Sequence, residues 1–428
     1  MVNECTSKLL ERILDRNNLI NAYKKVKQNK GSHGIEVNMT VDDLLPYLKQ
    51  NLKQIRQSIL EGTYKPSPVR RVEIPKPDGG KRMLGIPTVF DRMIQQAIAQ
   101  VLSTLFDPKF SDSSYGFRPN RSARQAVEKS KDYIEAGYNW TVDIDIARYF
   151  DTVNHDKLMS LIAKEIEDKR VLSLIRKYLQ SGVMINGIAI DTYEGCPQGG
   201  PLSPLLSNIM LNELDMELEK RGLKFCRYAD DCNIYVKSRK ASDRVMKSIT
   251  RFIEKNLKLK VNKEKSTTGK PWNLKYLGFS FYSSRTKNKI GIRIHPESVK
   301  RLKFKIKWIT GRSNGKSMQW RIDKLRELII GWVNYFSIAD MKGTVQKLDE
   351  WIRRRLRLCF WKQWKKIKTK HDNLVKLGIE SSKAWQYANT RKSYWRISNS
   401  FILSCTITND YLKKLGYLSI LERYSLVH

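Results

Sequence analysis

The sequence predicts an α+β core followed by a helical region, on three observations. Between residues 64 and 282, short stretches that alternate apolar and polar residues are interleaved with stretches of helical spacing. Beyond residue 295 the spacing is helical. The chain has 428 residues, 41% hydrophobic and 10% aromatic, enough for roughly two to four folded units with cores of their own.

The elements follow in order. Residues 8–60 read as helices, broken at "NKGSHGIEVNMT" (29–40), where Gly31 and Gly34 punctuate a loop. "YKPSPVRRVEIPKPDGGKRMLGIP" (64–87) has the punctuation of strands joined by a tight turn at Pro77-Asp78-Gly79-Gly80. "TVFDRMIQQAIAQVLSTLF" (88–106) switches to helical spacing, with Val89, Met93, Ile94, Ala97, Ile98, Val101 and Leu102 on one face. "WTVDIDI" (140–146) alternates as a strand, and helical segments follow. The Gly/Pro-rich "EGCPQGGPLSP" (194–204) then opens another helix. "FCRYADDCNIYV" (225–236) reads as a hairpin with Asp230 and Asp231 at its tip. "RVMKSITRFIEKNLKLKVN" reads as helix then strand, and "LKYLGFSFY" (274–282) as a further strand. "PESVKRLKFKIKWI" begins with a proline suited to a first helical turn. "WRIDKLRELIIGWVNYF" and "TVQKLDEWIRRRLRLCFWKQWKK" continue the helical period into a small basic bundle, with a shorter mixed segment from about residue 367.

Charge narrows the class. Lys and Arg number 80 against 43 Asp and Glu, a net +37. From Arg285 onward there are 33 basic and 10 acidic residues, +23, so the first 284 residues carry 47 minus 33, or +14. Such an excess calls for a large anionic partner, with nucleic acid ahead of a membrane surface. No apolar run reaches the roughly 18 to 20 residues that span a bilayer, and the polar, amphipathic start does not read as a signal peptide. The six cysteines form no CxxC pair, so they read as scattered reduced thiols rather than zinc ligands or disulfides.

The chemistry lies in the acids. On a strand, alternate residues share a face, which puts Asp143 and Asp145 together on one side of "VDIDI". Asp230 and Asp231 form a second acidic spot. An adjacent Asp pair is commonly a solvated turn. Brought together with the strand acid, the pair makes three converging carboxylates, which repel unless divalent cations neutralise them. Hard oxygen ligands suit Mg²⁺, which takes one or two carboxylates plus substrate phosphates. Two such ions, about 3.5–4 Å apart, can activate a 3′-hydroxyl and stabilise a leaving pyrophosphate.

The surrounding blocks resemble the reverse transcriptases encoded by bacterial group II introns. "YADD" (228–231) is similar to that family's catalytic turn, and "VDIDIARYFDTVNHDKL" (142–158) to its other catalytic strand. "GCPQGGPLSPLLSNIML" (195–211) is similar to its template- and nucleotide-positioning segment. "VEIPKPDGGKRMLGIPTVFDRMIQQAI" (72–98), "SYGFRPNRSARQAV" (114–127) and "LKYLGFSF" (274–281) match further blocks in the family's order. "GWVNYF" and "WIRRRLR" resemble its thumb or maturase region. The resemblance implies a right-hand polymerase. Its parts would be an N-terminal extension (1–65), a fingers and palm core (66–285), a helical thumb (286–366) and a small basic C-terminal nucleic-acid-binding domain (367–428).

Site residues follow from the matched motifs. Asp145, Asp230 and Asp231 become the metal-binding carboxylates, with the carbonyl of Ile146 as a further ligand. Asp143 rivals Asp145. The family's ligand stands five positions before an aromatic that screens the sugar 2′ position; Phe150 fits that aromatic, which selects Asp145. Lys76 and Arg82 flank the "PDGG" turn and could close over a triphosphate, the arginine as a fork and the lysine as a point charge. In "PQGGPLSP", Gly199 permits close backbone approach to a base pair and Gln198 can hydrogen-bond template or nucleotide. Lys265 stands near the phosphates. Arg118 touches template backbone or incoming base, or else makes a structural ion pair. Arg353, Arg354, Arg355 and Arg357 lie on one predicted helix. At 100° per residue the consecutive three cannot share a groove, and phosphate contacts are expected from the basic side, with Arg353 and Arg357 on one face. The loop at 29–40 either braces template RNA or is a connector.

The implied activity is Mg²⁺-dependent RNA-directed DNA polymerisation, using two ions, with Mn²⁺ as a substitute. The implied partners are the group II intron RNA, an RNA template/DNA primer duplex, dNTPs and target DNA, with no membrane. The implied location is the bacterial cytoplasm, in association with the nucleoid or an RNA–protein particle. A non-catalytic splicing cofactor that kept the fold is the alternative, and the clustered carboxylates argue against it. His295, His371, His428, Cys359 and Cys405 have no ligand-like spacing, so the chain reads as a compact member without the C-terminal endonuclease.

Overall fold

The computed structural model describes residues 8–36, 39–75, 79–185, 187–284 and 289–428. The chain divides into two compact units, Met1–Lys270 and Pro271–His428.

The first unit opens with three helices, α1 (Leu9–Ile13), α2 (Arg16–Asn29) and α3 (Leu44–Leu60). Asp15 starts α2 by accepting the amide N–H groups of Asn17 and Asn18, which would otherwise lack partners at a helix start. β1 (Val69–Pro75) and β2 (Lys81–Ile86) lead into α4 (Val89–Phe106), capped by the Thr88 hydroxyl. The expected apolar face of α4 is buried, and so are Phe90, Asp91, Gln95 and Ala99 on its other sides. The helix is therefore a central post. Its Asp91 carboxylate accepts from Tyr64 Oη at 2.7 Å and from the Ser67 amide at 3.2 Å, which satisfies a charge that burial penalises.

The rest of this unit comprises α5 (Ala123–Glu135), β3 (Trp140–Ile144), α6 (Tyr149–Thr152), α7 (His155–Ala163), α8 (Lys169–Leu179), β4 (Val183–Ile185) and β5 (Ile188–Ile190). Then come α9 (Ser203–Lys220), β6 (Lys224–Tyr228), β7 (Asp231–Val236), α10 (Arg239–Asn256) and β8 (Thr267–Gly269). One sheet has the order β2-β1-β4-β5 and the other β6-β7-β3-β8. In the second sheet every neighbouring pair is antiparallel. Its Val142, Ile144, Phe225 and Ile234 belong to one buried cluster with Leu206 and Met210 of α9 and Ile249 and Ile253 of α10. The sheet is thus apolar on its helix side and carries its acids on the other.

The second unit begins with the antiparallel pair β9 (Phe279–Ser284) and β10 (Lys289–Ile294). Three longer helices follow: α11 (Pro296–Ile309), α12 (Met318–Phe336) and α13 (Lys342–Gln363). The segment from 367, expected to be mixed, is a run of short helices: α14 (Ile367–Lys376), α15 (Ser381–Ala388), α16 (Tyr394–Ile397), α17 (Phe401–Thr406), α18 (Asn409–Lys414) and α19 (Ile420–Val427). Asp349 of α13 ties this tail down, accepting from Tyr417 Oη at 2.8 Å and the Ile420 amide at 3.1 Å. Among the described residues no helix is long and apolar enough to cross a membrane.

Candidate functional site

Strand register brings two of the acidic residues to one edge. β3 and β7 pair Asp143 with Asn233 and Ile144 with Cys232. One step further, Asp145 leaves β3 where Asp231 enters β7, so both stand at the same end of the ladder. Residues alternate in facing along each strand, so Asp143, Asp145, Asp231 and Asn233 share one face. Asp143 lies further into the sheet, between Asn233 of β7 and Thr267 of β8.

Two devices hold the backbone here. Tyr228 and Asp231 pair across the β6–β7 turn, with Ala229 in the left-handed region at φ +58°. A non-glycine residue there costs roughly 1–2 kcal/mol, which the surroundings must offset. On the other strand, the Asp145 amide donates to Ser266 Oγ at 3.0 Å, and its carbonyl accepts from the Asn262 amide at 2.8 Å. The neighbouring bridge runs from the Ala147 amide to the Lys260 carbonyl, so it does not use the carbonyl of Ile146.

A cavity of about 470 Å³ opens beside this edge, lined by Arg82, Phe150, Gln198, Gly199 and Asp230 among others. Five sequence-predicted residues thus meet in one space. Arg82 Nε donates to Gln198 Oε1 at 2.8 Å, and the Gly85 amide donates to the Gln198 carbonyl at 2.9 Å. Gly199, at φ +133°, passes so close to β2 that a Cβ there would lie 2.9 Å from the Gly85 carbonyl oxygen. The Phe150 ring stands edge-on to Tyr149 at 5.2 Å, and its carbonyl accepts from the Cys196 amide at 2.7 Å. Burial pushes the Cys196 thiol up to about 11, which keeps it protonated behind the cavity.

The same cavity is lined by residues that sequence reasoning passed over: Lys30, Arg92, Gln96 and Phe117. Phe117 is 54% exposed, sits at φ +59° and leans on Tyr228 with ring centroids 6.5 Å apart. It belongs to the block "SYGFRPNRSARQAV", where a lone aromatic carries no periodic signal of its own. Arg92, whose pKa burial lowers, donates to the Ser32 carbonyl at 2.8 Å. Arg70 likewise holds the His33 carbonyl, and Glu36 accepts the Val89 amide at 2.6 Å. The described part of the 29–40 loop is therefore pinned to its neighbours, with Asn29 and Lys30 at the cavity.

Other expected residues stand elsewhere. Lys76 lies outside the described residues. Lys265 is exposed in the 262–266 turn and does not line this cavity. Arg118 makes the structural ion pair that was one of its two expected roles. Its side chain is 5% exposed, and its guanidinium donates to Asp107 Oδ1 at 2.7 Å, to the Ser111 carbonyl at 2.6 Å and to the Ser114 and Asp107 carbonyls. Four of its five N–H groups thus fix the 107–114 segment.

The arginines of α13 likewise have partners within the protein. Arg353 pairs with Asp349, one turn back on its own helix. Arg354 stacks on the Trp395 ring at 3.7 Å and donates to the Trp395 carbonyl at 2.9 Å. Arg357 donates to the Ile407 carbonyl at 3.0 Å, and burial lowers its pKa. Arg355 is taken up by Thr310. Residues 394–409 supply acceptors for Arg354 and Arg357, while Arg353 and Arg355 use Asp349 and Thr310.

Among the described residues, no three Asp, Glu, His or Cys side chains are grouped closely enough to hold a metal ion. The donor set itself, carboxylates on two facing strand ends beside a backbone carbonyl, consists of the hard oxygens that a small divalent cation takes.

Residues 74–281 match the family described as reverse transcriptase (RNA-dependent DNA polymerase), and residues 299–378 match the group II intron, maturase-specific domain. Protein YkfC of Escherichia coli K12 is 35% identical over 300 residues, covering 60% of this chain and 78% of that protein. The group II intron-encoded protein LtrA of Lactococcus lactis subsp. cremoris is 39% identical over 228 residues, covering 53% of this chain but 37% of that protein. The putative COX1/OXI3 intron 2 protein of Saccharomyces cerevisiae is 36% identical over 219 residues, covering 50% of this chain and 25% of that protein.

Proposed function

We propose, from the premise that the chain belongs to the reverse transcriptase family that carries a group II intron maturase-specific domain, that it copies intron RNA into DNA and binds that RNA to assist splicing and mobility. The observation that carries the polymerase part is the single cavity shared by Arg82, Phe150, Gln198, Gly199 and Asp230, next to the strand ends that bear Asp145 and Asp231.

Each residue has a role within that reading. Asp145, Asp230 and Asp231, with the Ile146 carbonyl, would hold two Mg²⁺ ions, or Mn²⁺ in their place. Bound there, the ions supply activation of a primer 3′-hydroxyl and charge stabilisation at the leaving pyrophosphate. Arg82 presents its fork to the triphosphate, with Lys76 as a second cation and Lys265 as an outlying one. Gln198, oriented by its bond to Arg82, reads the nucleotide or template edge, and Gly199 lets the backbone approach the base pair. Phe150 screens the sugar 2′ position. The 29–40 loop braces template beside Asn29 and Lys30.

The proposed parts are an N-terminal extension (1–65), fingers and palm (66–285), thumb (286–366) and a basic C-terminal domain (367–428). The proposed partners are the parent intron RNA, a template–primer duplex, dNTPs and target DNA, in the cytoplasm with the nucleoid or an RNA–protein particle. The test is extension of a DNA primer on an RNA template with dNTPs and Mg²⁺. The wild type makes DNA and Asp230→Ala/Asp231→Ala does not. Absence of product from the wild type would sink the enzyme reading.

A further inference from the structure

Under the catalytic turn lies an ion pair with no exposure at all. Arg227 and Asp215 both have fully buried side chains. A buried pair of this kind is seldom a net source of stability, because desolvation offsets the attraction, so its presence asks for another reason. Arg227 is the penultimate residue of β6, immediately before Tyr228-Ala229-Asp230-Asp231.

A guanidinium has five N–H donors, and here all five have acceptors. Nε and Nη2 grip the Asp215 carboxylate of α9 at 2.7 and 2.5 Å. Nη2 also reaches Ser114 Oγ at 2.8 Å, and Nη1 reaches Asn208 Oδ1 at 3.1 Å. The fifth bond runs from Nη1 to the carbonyl of Ala229, at 2.8 Å. Four bonds thus fix the fork to α9 and to the 114 segment, and one holds the turn.

The bracket closes from the other side as well. Asn208 Nδ2 donates to the Gly116 carbonyl at 2.8 Å. Gly116 lies so near the turn that a Cβ on it would stand 2.2 Å from the Ala229 nitrogen. The segment is laid along β6 by the Arg227 amide, which donates to the Ser113 carbonyl, and the Tyr115 amide, which donates to the Arg227 carbonyl. Ala229, a non-glycine residue in the left-handed region, is therefore clasped between a buried cation and a glycine.

We infer that Arg227 is a positioning residue for the metal-holding turn: its saturated guanidinium, anchored by Asp215, Asn208 and Ser114, fixes the Ala229 carbonyl and with it the direction of Asp230 and Asp231. The inference rests on the proposed polymerase reading only for what the two carboxylates bind. Lysine cannot replace it, because one point charge with three donors does not span five acceptors.

The test uses the full chain and three variants, Arg227→Lys, Ser114→Ala and Gly116→Ala, each checked for folding by its thermal melt. Mn²⁺ binding is followed by electron paramagnetic resonance, which needs no turnover. Single-nucleotide addition is followed alongside it over a range of dNTP concentrations. In folded Arg227→Lys and in Gly116→Ala the Mn²⁺ half-saturation rises severalfold. The maximal addition rate falls by about a hundredfold, the scale expected for a misplacement of about 1 Å. The dNTP half-saturation stays within about twofold of the wild type, because such a misplacement acts on the chemical step. Ser114→Ala, which removes one anchor, shifts both readouts in the same direction by less.

A folded variant that melts lower but binds Mn²⁺ and adds nucleotide like the wild type overturns the inference, since the bracket would then be structural only. Should Arg227→Lys fail to fold, an unchanged Mn²⁺ affinity in Gly116→Ala overturns it equally. A wild type that adds no nucleotide, while Mn²⁺ affinity still follows the bracket, sinks the polymerase reading and leaves the positioning role standing.

Discussion

At the scale of single residues, Phe150 offers a sharp contrast between packing and function. Its ring is half-buried against Tyr149, yet it also lines the cavity that holds Arg82, Gln198 and Asp230. If the ring screens the sugar 2′ position, Phe150→Ala opens room for a hydroxyl. Discrimination between dNTPs and rNTPs, read as the ratio of their kcat/KM values, then falls by about tenfold or more. A variant that slows both substrates equally would make Phe150 a packing residue. The residues legible in the sequence were those whose chemistry is unusual for their place: clustered acids on a core strand and a glycine-rich entry to a helix. The Cys226 thiol is pushed up to about 12 by burial, which keeps it protonated. The arginines other than Arg82 were less legible. A guanidinium serves a phosphate or a carbonyl equally well, and only the fold could show that Arg118 and Arg353, Arg354 and Arg357 are used inside the protein.

Elements show the same division. β3 was readable because one face is apolar and the other acidic, and the β6–β7 hairpin because two apolar runs flank an acidic turn. β4 and β5 were missed. Ile188 and Ile190 of β5 are 68% and 50% exposed, so their alternation marks no buried face, although the "NG" pair at 186–187 is a hairpin signal. The short helices α14 to α19 escaped for want of length, since the period needs a window of about 11 residues. α1 is a five-residue helix, too short to hold itself, and it depends on α8. The Asp168 carboxylate that caps α8 accepts the Leu10 amide at 3.1 Å, while Arg170 grips Asp168 and Glu11 together. Burial acts to raise the Asp168 pKa, but hydrogen bonds from Arg170 and Leu10 outweigh it and hold the carboxyl below its usual value. A pKa depressed by folding contributes stability that is present above the unfolded value and lost as pH falls through the folded one. Asp168→Ala therefore loosens α1 by about 1–3 kcal/mol at neutral pH, read as faster hydrogen exchange over residues 9–13. The difference from the wild type shrinks as pH drops below about 4. A difference that persists undiminished in acid would show that the carboxylate charge is not what holds the helix.

Over the whole molecule, the acids of the first unit and the charge of the chain divide the work. The net +37 is weighted toward the region from Arg285, where +23 accumulates. With the arginines of α13 largely committed to internal partners, the outward charge there comes from residues such as Lys300, Arg301, Lys303, Lys305 and Lys307, exposed along α11 beside Phe304 and Trp308. Composition announced a nucleic-acid partner correctly in kind, while the residues that would face it depend on which cations the fold has already used. The family's two domains occupy 74–281 and 299–378, and the first contains Asp145, Asp230 and Asp231, the proposed catalytic set. The most direct measurement is single-turnover addition of one dNTP to a primer on an RNA template by Asp145→Asn and Asp143→Asn beside the wild type. Asp145→Asn is expected to lose at least about a thousandfold, on the scale of removing one main electrostatic contributor. Asp143→Asn is expected to stay within about tenfold of the wild type, because Asp143 acts at most through its neighbours. An active Asp145→Asn together with a silent Asp143→Asn would contradict that catalytic set.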